Sequence, residues 1–157
     1  MNFTEISSHK FSGNVLIVGD PATGKTKLSG ELALRHPKHT VIHTDDFMDN
    51  GYERGLYQIL DKIKATEGPT LIEGVQGFRL LRKGLQESSY NPDTVIHMFS
   101  TPQLIYKAYN TDYKRLGKDV KYLEGLAKAN IKILNDYRLL KTRINNPPAW
   151  YNIDNVY

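Results

Sequence analysis

The sequence predicts an α/β fold in which helices cover a parallel β-sheet. Short apolar runs alternate with longer helical patterns along most of the chain, and prolines or glycines separate them. This rhythm is typical of strands that are joined by crossover helices. No stretch approaches the roughly 18 consecutive apolar residues of a membrane span. We therefore expect the apolar runs to be strands of a buried sheet.

The first three strands are predicted from short apolar runs. Residues 14–18 (NVLIV) are apolar almost throughout, as in a strand that is buried on both faces, and residues 40–44 (TVIHT) are rich in β-branched side chains. Residues 70–73 (TLIE) form the third run. Helices are predicted between these strands, over residues 25–35 and 52–66, where apolar residues recur at helical spacing.

The second half of the chain continues the alternation and then becomes mainly helical. Its last helix carries an apolar stripe, which consists of Val120, Leu123, Ala127, Ile131 and Leu134. The predicted elements are a helix over residues 78–86, a strand over 94–99, helices over 102–116 and 120–140 on either side of Gly117, and a last short strand over 150–153.

Length and composition indicate one globular domain inside the cell. The 157 residues match the usual length of one domain, and 39% apolar with 24% charged residues is an ordinary globular composition. The chain has no cysteine, which excludes disulfides and thiolate zinc sites, and residues 1–10 lack the pattern of a secretion signal. We expect a single domain over residues 1–157, located in the cytoplasm.

The positive charge is concentrated near the C-terminus. Residues 101–157 contain ten Lys or Arg against five Asp or Glu, whereas residues 1–100 contain eleven against twelve. A basic segment can attract phosphates or a nucleic-acid backbone, and it can equally be the solvated surface of a helix.

Residues 19–26 contain the strongest motif of the chain. Phosphate oxygens need several backbone N–H groups that converge on one point, and glycines allow that conformation. Lys25 is expected to bind the outer phosphates and to take part in catalysis, and the Thr26 hydroxyl is expected to bind Mg²⁺. The residues fit the pattern G-x-x-x-x-G-K-S/T between a predicted strand and a predicted helix, and they are Gly19, Asp20, Pro21, Ala22, Thr23, Gly24, Lys25 and Thr26.

Three carboxylates stand at the ends of predicted strands. Asp45 and Asp46 follow the second strand, and Glu73 ends the third. Ligands of open α/β sheets bind outside the carboxyl ends of the strands, and phosphoryl transfer to an alcohol needs a carboxylate that orients the hydroxyl and oxygen ligands for a metal. We expect Asp46 and Glu73 to join Thr26 around the metal. The structural alternatives are a helix cap for the aspartates and an ordinary strand-end charge for Glu73.

These segments together resemble the P-loop kinases of the uridine kinase and phosphoribulokinase type, and the kinase domain of polynucleotide kinases. The resemblance rests on residues 19–26, 44–47 (TDDF) and 71–74 (LIEG). It implies a three-layer P-loop NTPase fold with a parallel five-stranded sheet in the order 2-3-1-4-5, ATP and Mg²⁺ as cosubstrates, and transfer of the γ-phosphate to a hydroxyl. It also implies that Asp45 is the catalytic base and that Glu73 lies near the metal.

The resemblance further implies a helical lid over about residues 102–120, whose cations close over the phosphates. Residues 112–119 (DYKRLGKD) resemble that lid, although Thr111 stands where an Arg-Asp pair would usually begin. Arg115 is the first candidate for the catalytic cation, because a planar guanidinium can span two phosphate oxygens. Lys118, as a nucleotide-binding residue, and then Lys114 follow it, and each of the three can also be a solvated charge.

The acceptor is predicted only as a class. Few residues are available to enclose it, so we expect an open groove that admits a nucleoside-like acceptor, either free or within DNA or RNA. Tyrosines such as Tyr52 could stack on bases, and Trp150 is expected to pack under the adenine of ATP. Four cations are expected to flank the groove, namely Arg54, Arg79, Arg82 and Lys83.

Two functions from different classes fit these patterns. The leading hypothesis is an ATP-dependent kinase that phosphorylates a hydroxyl group. The alternative is a nucleotide-binding regulatory NTPase that resembles a switch and has no small-molecule acceptor. The chain lacks the N-K-x-D string of guanine recognition and a D-x-x-G string after the third strand, which favours the kinase.

Overall fold

The computed structural model describes residues 1–20, 23–99 and 113–154, and for residues 113–123 only the backbone is described. Strands and helices alternate, and the five predicted strands and the predicted helices over residues 25–35, 52–66 and 78–86 are found with boundaries that differ by at most one residue. The elements are α1 (Phe3–Ser7), β1 (Val15–Gly19), α2 (Lys25–Arg35), β2 (Thr40–His43), a 3₁₀ turn (Thr44–Phe47), α3 (Tyr52–Ala65), β3 (Thr70–Glu73), α4 (Gly77–Gln86), β4 (Thr94–Phe99), α5 (Tyr113–Lys141) and β5 (Ala149–Asp154).

The five strands form one parallel sheet in the order β2-β3-β1-β4-β5. This confirms the predicted fold class and strand order. In the register of the sheet, Ile17 lies level with Glu73 and Ile96, and His43 also lies level with Glu73. The carboxyl ends of the three strands β1, β2 and β3 therefore meet at one edge, which we call the carboxyl edge.

Alternate residues of β1 point into two separate cores. Leu16 and Val18 pack with apolar residues of α3, α4 and α5 on one face of the sheet. Val15 and Ile17 pack with residues of α1 and α2 on the other face. Because both faces are covered, all five β1 residues are buried, as the continuous apolar run predicts.

Helix α1 is an element for which the sequence carries no clear periodic signal. Its five residues are too few to show a helical repeat. Asn2 caps the helix by accepting a hydrogen bond from the Glu5 N–H at 2.9 Å, and Ile6 is completely buried in the core beside α2. The burial of Ile6 and the packing of Phe3 against the same core thus fix the N-terminal segment to the domain.

The predicted helix break at Gly117 is wrong. Helix α5 continues through this residue, from Tyr113 to Lys141. A glycine inside a helix costs only about 1 kcal/mol, which the packing of a long helix readily offsets. The part of the earlier predicted helix over residues 102–112 lies outside the described residues.

The predicted apolar stripe of α5 is also partly wrong. Ile131 is 61% exposed, whereas Leu134 is buried as expected. The described residues that α5 buries are Asn130, Ile133, Leu134 and Tyr137. The buried face therefore includes an amide and a phenol, and a count of aliphatic residues alone assigns the face incorrectly. The predicted contacts of Val120 and Leu123 lie outside the described side chains.

No helix within the described ranges is both long and apolar enough to cross a membrane.

Candidate active site

The turn between β1 and α2 requires glycine at both of its ends. A Cβ atom on Gly19 would lie 2.6 Å from the Met98 carbonyl oxygen and 2.8 Å from Thr23 Oγ1. Gly24 has a φ of +91°, in the left-handed region that favours glycine. The turn therefore brings its backbone close to β4 and begins α2 at Lys25, as the motif predicts. Pro21 and Ala22 lie outside the described residues.

Lys25 is a buried cation without an ion pair among the described residues. It is only 5% exposed, and its Nζ donates hydrogen bonds to the Asp20 carbonyl oxygen at 2.6 Å and to Thr23 Oγ1 at 3.3 Å. Burial lowers the pKa of Lys25 to about 8, although the charges of Glu73, Asp20 and Asp45 oppose this change. An anion in the turn would stabilise the charged ammonium.

Helix α5 contributes an amide that fixes the turn from outside the motif. Asn130 Nδ2 donates a hydrogen bond to Asp20 Oδ1 at 2.9 Å, and Asn130 is buried. A contact between two residues that are 110 positions apart in the sequence thus helps to hold the turn in place. The sequence analysis does not identify Asn130, and its only local signal is an asparagine among the apolar residues of a helix.

Glu73 joins the motif to the neighbouring strands. Its buried Oε1 accepts a hydrogen bond from Thr26 Oγ1 at 3.4 Å and lies 2.6 Å from His43 Nδ1. The structure therefore brings Thr26 and Glu73 together as predicted. A hydroxyl and a carboxylate oxygen are ligands that suit Mg²⁺, which usually keeps several waters. Groups of three or more His, Cys, Asp or Glu that could hold a metal are absent from the described part of the chain.

His43 lies on β2, which is an edge strand of the sheet. Its side chain is 40% exposed and contacts the Glu73 carboxylate. At 2.6 Å from that acceptor, Nδ1 must carry the proton and donate it. The contact depends on the pairing of β2 with β3, which sets His43 level with Glu73. Local sequence patterns do not contain that information.

Asp45 and Asp46 lie in the 3₁₀ turn that follows β2, and both are exposed. The charge of Asp45 acts on Lys25, so the turn brings this carboxylate toward the phosphate-binding residues. No described contact joins Asp46 to Thr26 or Glu73. The role of Asp45 as the catalytic base and that of Asp46 as a metal ligand stay predictions.

The predicted lid cations are Lys114, Arg115 and Lys118. They belong to the first turns of α5, and their side chains lie outside the described residues.

The prediction that Trp150 packs under the adenine is wrong. Trp150 lies level with Val95, near the start of β4, and its ring is 6.1 Å from the Tyr137 ring and 5.3 Å from Lys141 Nζ. Its side chain therefore packs against the C-terminal half of α5, at the end of β5 that lies away from the carboxyl edge.

Two of the four cations predicted to flank an acceptor groove are bound to carboxylates of the chain itself. Arg82 Nη1 lies 2.9 Å from Asp136 Oδ2 and joins α4 to α5. The Nζ of Lys83 lies 3.6 Å from Glu53 and 3.7 Å from Glu87. The charges of Arg82 and Lys83 are therefore compensated within the chain, and their position beside an acceptor groove stays a prediction.

The other two predicted groove cations form no ion pair with any carboxylate in the described part of the chain. Arg54 is exposed, and the Arg79 guanidinium lies over the Tyr52 ring at 5.0 Å.

Solved structures of kinases have a fold similar to that of this chain. A gluconokinase from Sinorhizobium meliloti 1021 is 15% identical with a TM-score of 0.60, and the match covers 95% of this chain and 86% of that chain. Shikimate kinase from Acinetobacter baumannii in complex with shikimate is 16% identical with a TM-score of 0.57, covering 96% and 86%. The YorR protein from Bacillus subtilis, in complex with phosphorylated GDP, is 18% identical with a TM-score of 0.51, covering 90% and 86%.

The predicted resemblance to P-loop kinases is thereby confirmed for the fold. No protein-family model and no curated protein matches the sequence. The similarity is thus visible in the structure and in the short motifs of the carboxyl edge.

Proposed function

We propose that this chain is a kinase that transfers the γ-phosphate of ATP to a hydroxyl group of a nucleoside-like acceptor, either free or within DNA or RNA. The observation that carries this proposal is the buried Lys25 ammonium in a glycine-bounded turn. The negative charges of Glu73, Asp20 and Asp45 favour the charged form of Lys25. None of these carboxylates forms an ion pair with it within the described residues. Such a cation is suited to a phosphate.

The residues of the turn fit ATP and Mg²⁺. Lys25 and the backbone N–H groups at the start of α2 would hold the phosphates, since the N-terminus of a helix attracts anions. Thr26 and Glu73 would hold Mg²⁺, with Asp46 as a further candidate. Bound Mg²⁺ neutralises the charge that develops on the phosphate oxygens. Arg115 and Lys118 are proposed to complete the site from the lid.

Asp45 is the best candidate for the group that orients the acceptor hydroxyl. A general base needs a free oxygen within reach of the proton that it accepts. Glu73 Oε1 is occupied by His43 and Thr26. The side chain of Asp45 is exposed and makes no hydrogen bond or ion pair within the described residues. Its oxygens are therefore available to a hydroxyl group.

The acceptor class rests on the surface next to Asp45. The similar structures are a gluconokinase, a kinase holding shikimate and a protein holding phosphorylated GDP, so the fold alone does not select an acceptor. Tyr52 begins α3 shortly after the Asp45 turn and is 43% exposed, and Arg79 lies over its ring. Exposed aromatic and guanidinium planes bind bases by stacking, which favours a nucleoside-like acceptor.

The Asp45→Asn variant tests this proposal. We expect transfer of labelled γ-phosphate to a responsive nucleoside or oligonucleotide to fall by about 10²- to 10⁴-fold, because the hydroxyl proton loses its acceptor. The affinity for ATP should stay within a few-fold of the original value. Asp49→Asn is the matched control, since Asp49 is exposed and lies just beyond the same turn.

Loss of ATP binding in Asp45→Asn, with undiminished transfer by the bound fraction, would contradict the assignment. Turnover that releases only inorganic phosphate with every acceptor would instead support the regulatory NTPase.

A further inference from the structure

The backbone and the side chain of Asp20 have different hydrogen-bond partners. The Asp20 carbonyl oxygen accepts hydrogen bonds from Lys25 Nζ at 2.6 Å and from Thr23 Oγ1 at 3.0 Å, both within the phosphate-binding turn. The carboxylate oxygen Oδ1 accepts a hydrogen bond from Asn130 Nδ2 of α5 at 2.9 Å. The turn therefore holds the backbone of Asp20, whereas α5 holds its side chain.

The Asp20 carboxylate acts on Lys25 without forming an ion pair with it. The Lys25 ammonium is hydrogen-bonded to the main chain of the same aspartate, and the charge of Asp20 acts on it. The carboxylate nevertheless forms no ion pair with a cation in the part of the chain that the structure describes. Opposite charges attract strongly where water is partly excluded, so a contact that keeps these two groups apart needs an explanation.

Asn130 is a hydrogen-bond donor whose position is fixed by packing. It is only 5% exposed, and it lies on the same face of α5 as Leu134 and Tyr137, since positions four and seven apart share a helix face. Leu134 and Tyr137 pack in the core between α5 and the sheet. Because a carboxylate only accepts hydrogen bonds, the amide must present its NH₂ group to Asp20.

We propose that Asn130 is a positioning residue that holds the Asp20 carboxylate toward α5 and thereby keeps Lys25 available to phosphate. The inference rests on the proposed function, and it assigns a role to a residue outside the phosphate-binding motif. Without the amide, a change of the Asp20 rotamer would bring the carboxylate to the ammonium. The resulting ion pair would compete with the phosphates of ATP for Lys25.

The experiment compares Asn130→Leu with Asn135→Leu, which makes the same change at an exposed position of the same helix. Binding of ATP and of inorganic tripolyphosphate, each with Mg²⁺, is measured by calorimetry on the full chain, and thermal unfolding checks that each variant is folded. Asn130→Asp serves as a second variant, in which a carboxylate faces Asp20. Both Asn130 variants are also combined with Asp20→Asn.

We expect Asn130→Leu to weaken the binding of ATP and of tripolyphosphate by about 10-fold, because Lys25 is then unpaired in only a fraction of the molecules. Asn130→Asp should weaken binding at least as much, since two facing carboxylates repel each other. Asp20→Asn should restore binding in both variants, because a neutral side chain does not compete with phosphate for the ammonium. Asn135→Leu should resemble the original protein.

Rescue by Asp20→Asn distinguishes this role from a merely structural one. In the double variant Asn130→Leu/Asp20→Asn the hydrogen bond between α5 and the turn is still missing. A turn that needs this bond only for its shape would therefore stay defective. Unchanged ATP binding in Asn130→Leu, or weak binding that Asp20→Asn does not restore, would overturn the inference.

Failure of this inference and failure of the proposed function give different results. An original protein that binds neither ATP nor tripolyphosphate would contradict the kinase. A crystal structure of ligand-free Asn130→Leu then decides the inference, which requires an ion pair between Asp20 and Lys25 and is overturned if the two groups stay apart. Phosphoryl transfer from labelled ATP, with nucleotide binding unaltered in Asn130→Leu, would contradict the role of Asn130 and retain the kinase.

Discussion

Lys25 in the turn after β1 differs from Arg82 and Lys83 of α4 in burial and in ion pairing. Lys25 is buried and has no ion pair among the described residues, although three carboxylates act on it from a distance. Arg82 and Lys83 are partly exposed, and each lies within 4.0 Å of a carboxylate from the same chain. In the sequence, residues 77–86 look more basic than the turn, because they carry three cations and no acid whereas residues 19–26 carry one of each. Only the packing shows which cations are paired with carboxylates.

The difference shows which cations are available to a ligand. A partly exposed cation paired with a carboxylate stabilises the fold a little, and its charge is already compensated. A buried cation with only a carbonyl and a hydroxyl as partners is held at a cost in folding free energy. Such a cost is retained in a protein when the group is needed for binding or catalysis. The proposed phosphate site is thus distinguished by a buried cation without an ion pair among the described residues, and basic composition alone does not distinguish it.

The largest effect is expected from Lys25→Met, which removes the uncompensated cation. ATP affinity should fall by at least about 100-fold, because charge-assisted hydrogen bonds to the phosphates are lost. The free energy of unfolding of the ligand-free protein should rise by up to about 3 kcal/mol, which corresponds to the lowering of the Lys25 pKa from 10.5 to about 8. Calorimetric titration and denaturant unfolding measure the two quantities.

Lys27→Met is the matched control for that variant, since Lys27 lies on the exposed side of the same helix. It should leave ATP affinity and stability nearly unchanged. If the Lys25→Met protein binds ATP normally, the claim that Lys25, unlike Arg82 and Lys83, is available to a ligand is wrong.

A smaller effect is expected from pH, between the lowered pKa of Lys25 of about 8 and its ordinary value of 10.5. In this range the folded, ligand-free protein has lost the Lys25 proton while the unfolded chain keeps it. Stability should therefore rise as the pH rises from 8 to 10.5, and this rise should be absent in Lys25→Met.

ATP binding should show the opposite trend in the same range, because bound phosphate favours the charged ammonium. The affinity should fall as the pH rises above 8, and binding should take up a proton, which calorimetry in buffers of different ionisation enthalpy detects. Binding without proton uptake at pH 9 would show that Lys25 does not meet the phosphate.

The smallest effect is expected from Arg82→Ala. The pair with Asp136 is partly exposed, with side-chain exposures of 27% and 45%, so its loss should lower the free energy of unfolding by about 1 kcal/mol or less. The KM values for acceptor and ATP should stay within about twofold, since Asp136 already compensates the charge of Arg82. An increase in the acceptor KM without loss of stability would show that Arg82 contacts the acceptor.

Much of the fold could be predicted because its signals are local. The run before Gly19 identifies β1, and the motif that ends at Thr26 needs only neighbouring residues to be recognised. The strand order was predicted from the resemblance that these motifs carry. Gly117 misled the helix prediction, because the tertiary packing of α5 outweighs the weak helix propensity of one residue.

The rest of the candidate site depends on contacts between distant segments. His43 meets Glu73 only through the pairing of β2 with β3, and Asn130 reaches Asp20 across most of the chain. Sequence patterns show which residues could bind a ligand or take part in catalysis. Whether a charge has a counterion, or a polar atom a hydrogen-bond partner, depends on the folded structure.

The most direct test of the central claim is the fate of the γ-phosphate. The full chain is incubated with γ-labelled ATP, Mg²⁺ and a mixture of nucleosides and oligonucleotides, and the labelled products are separated. We expect the label on a hydroxyl oxygen of an acceptor, with transfer lost in Lys25→Met and Asp45→Asn. Label found only in inorganic phosphate, or none released from ATP with any acceptor, would contradict a kinase built on this carboxyl edge.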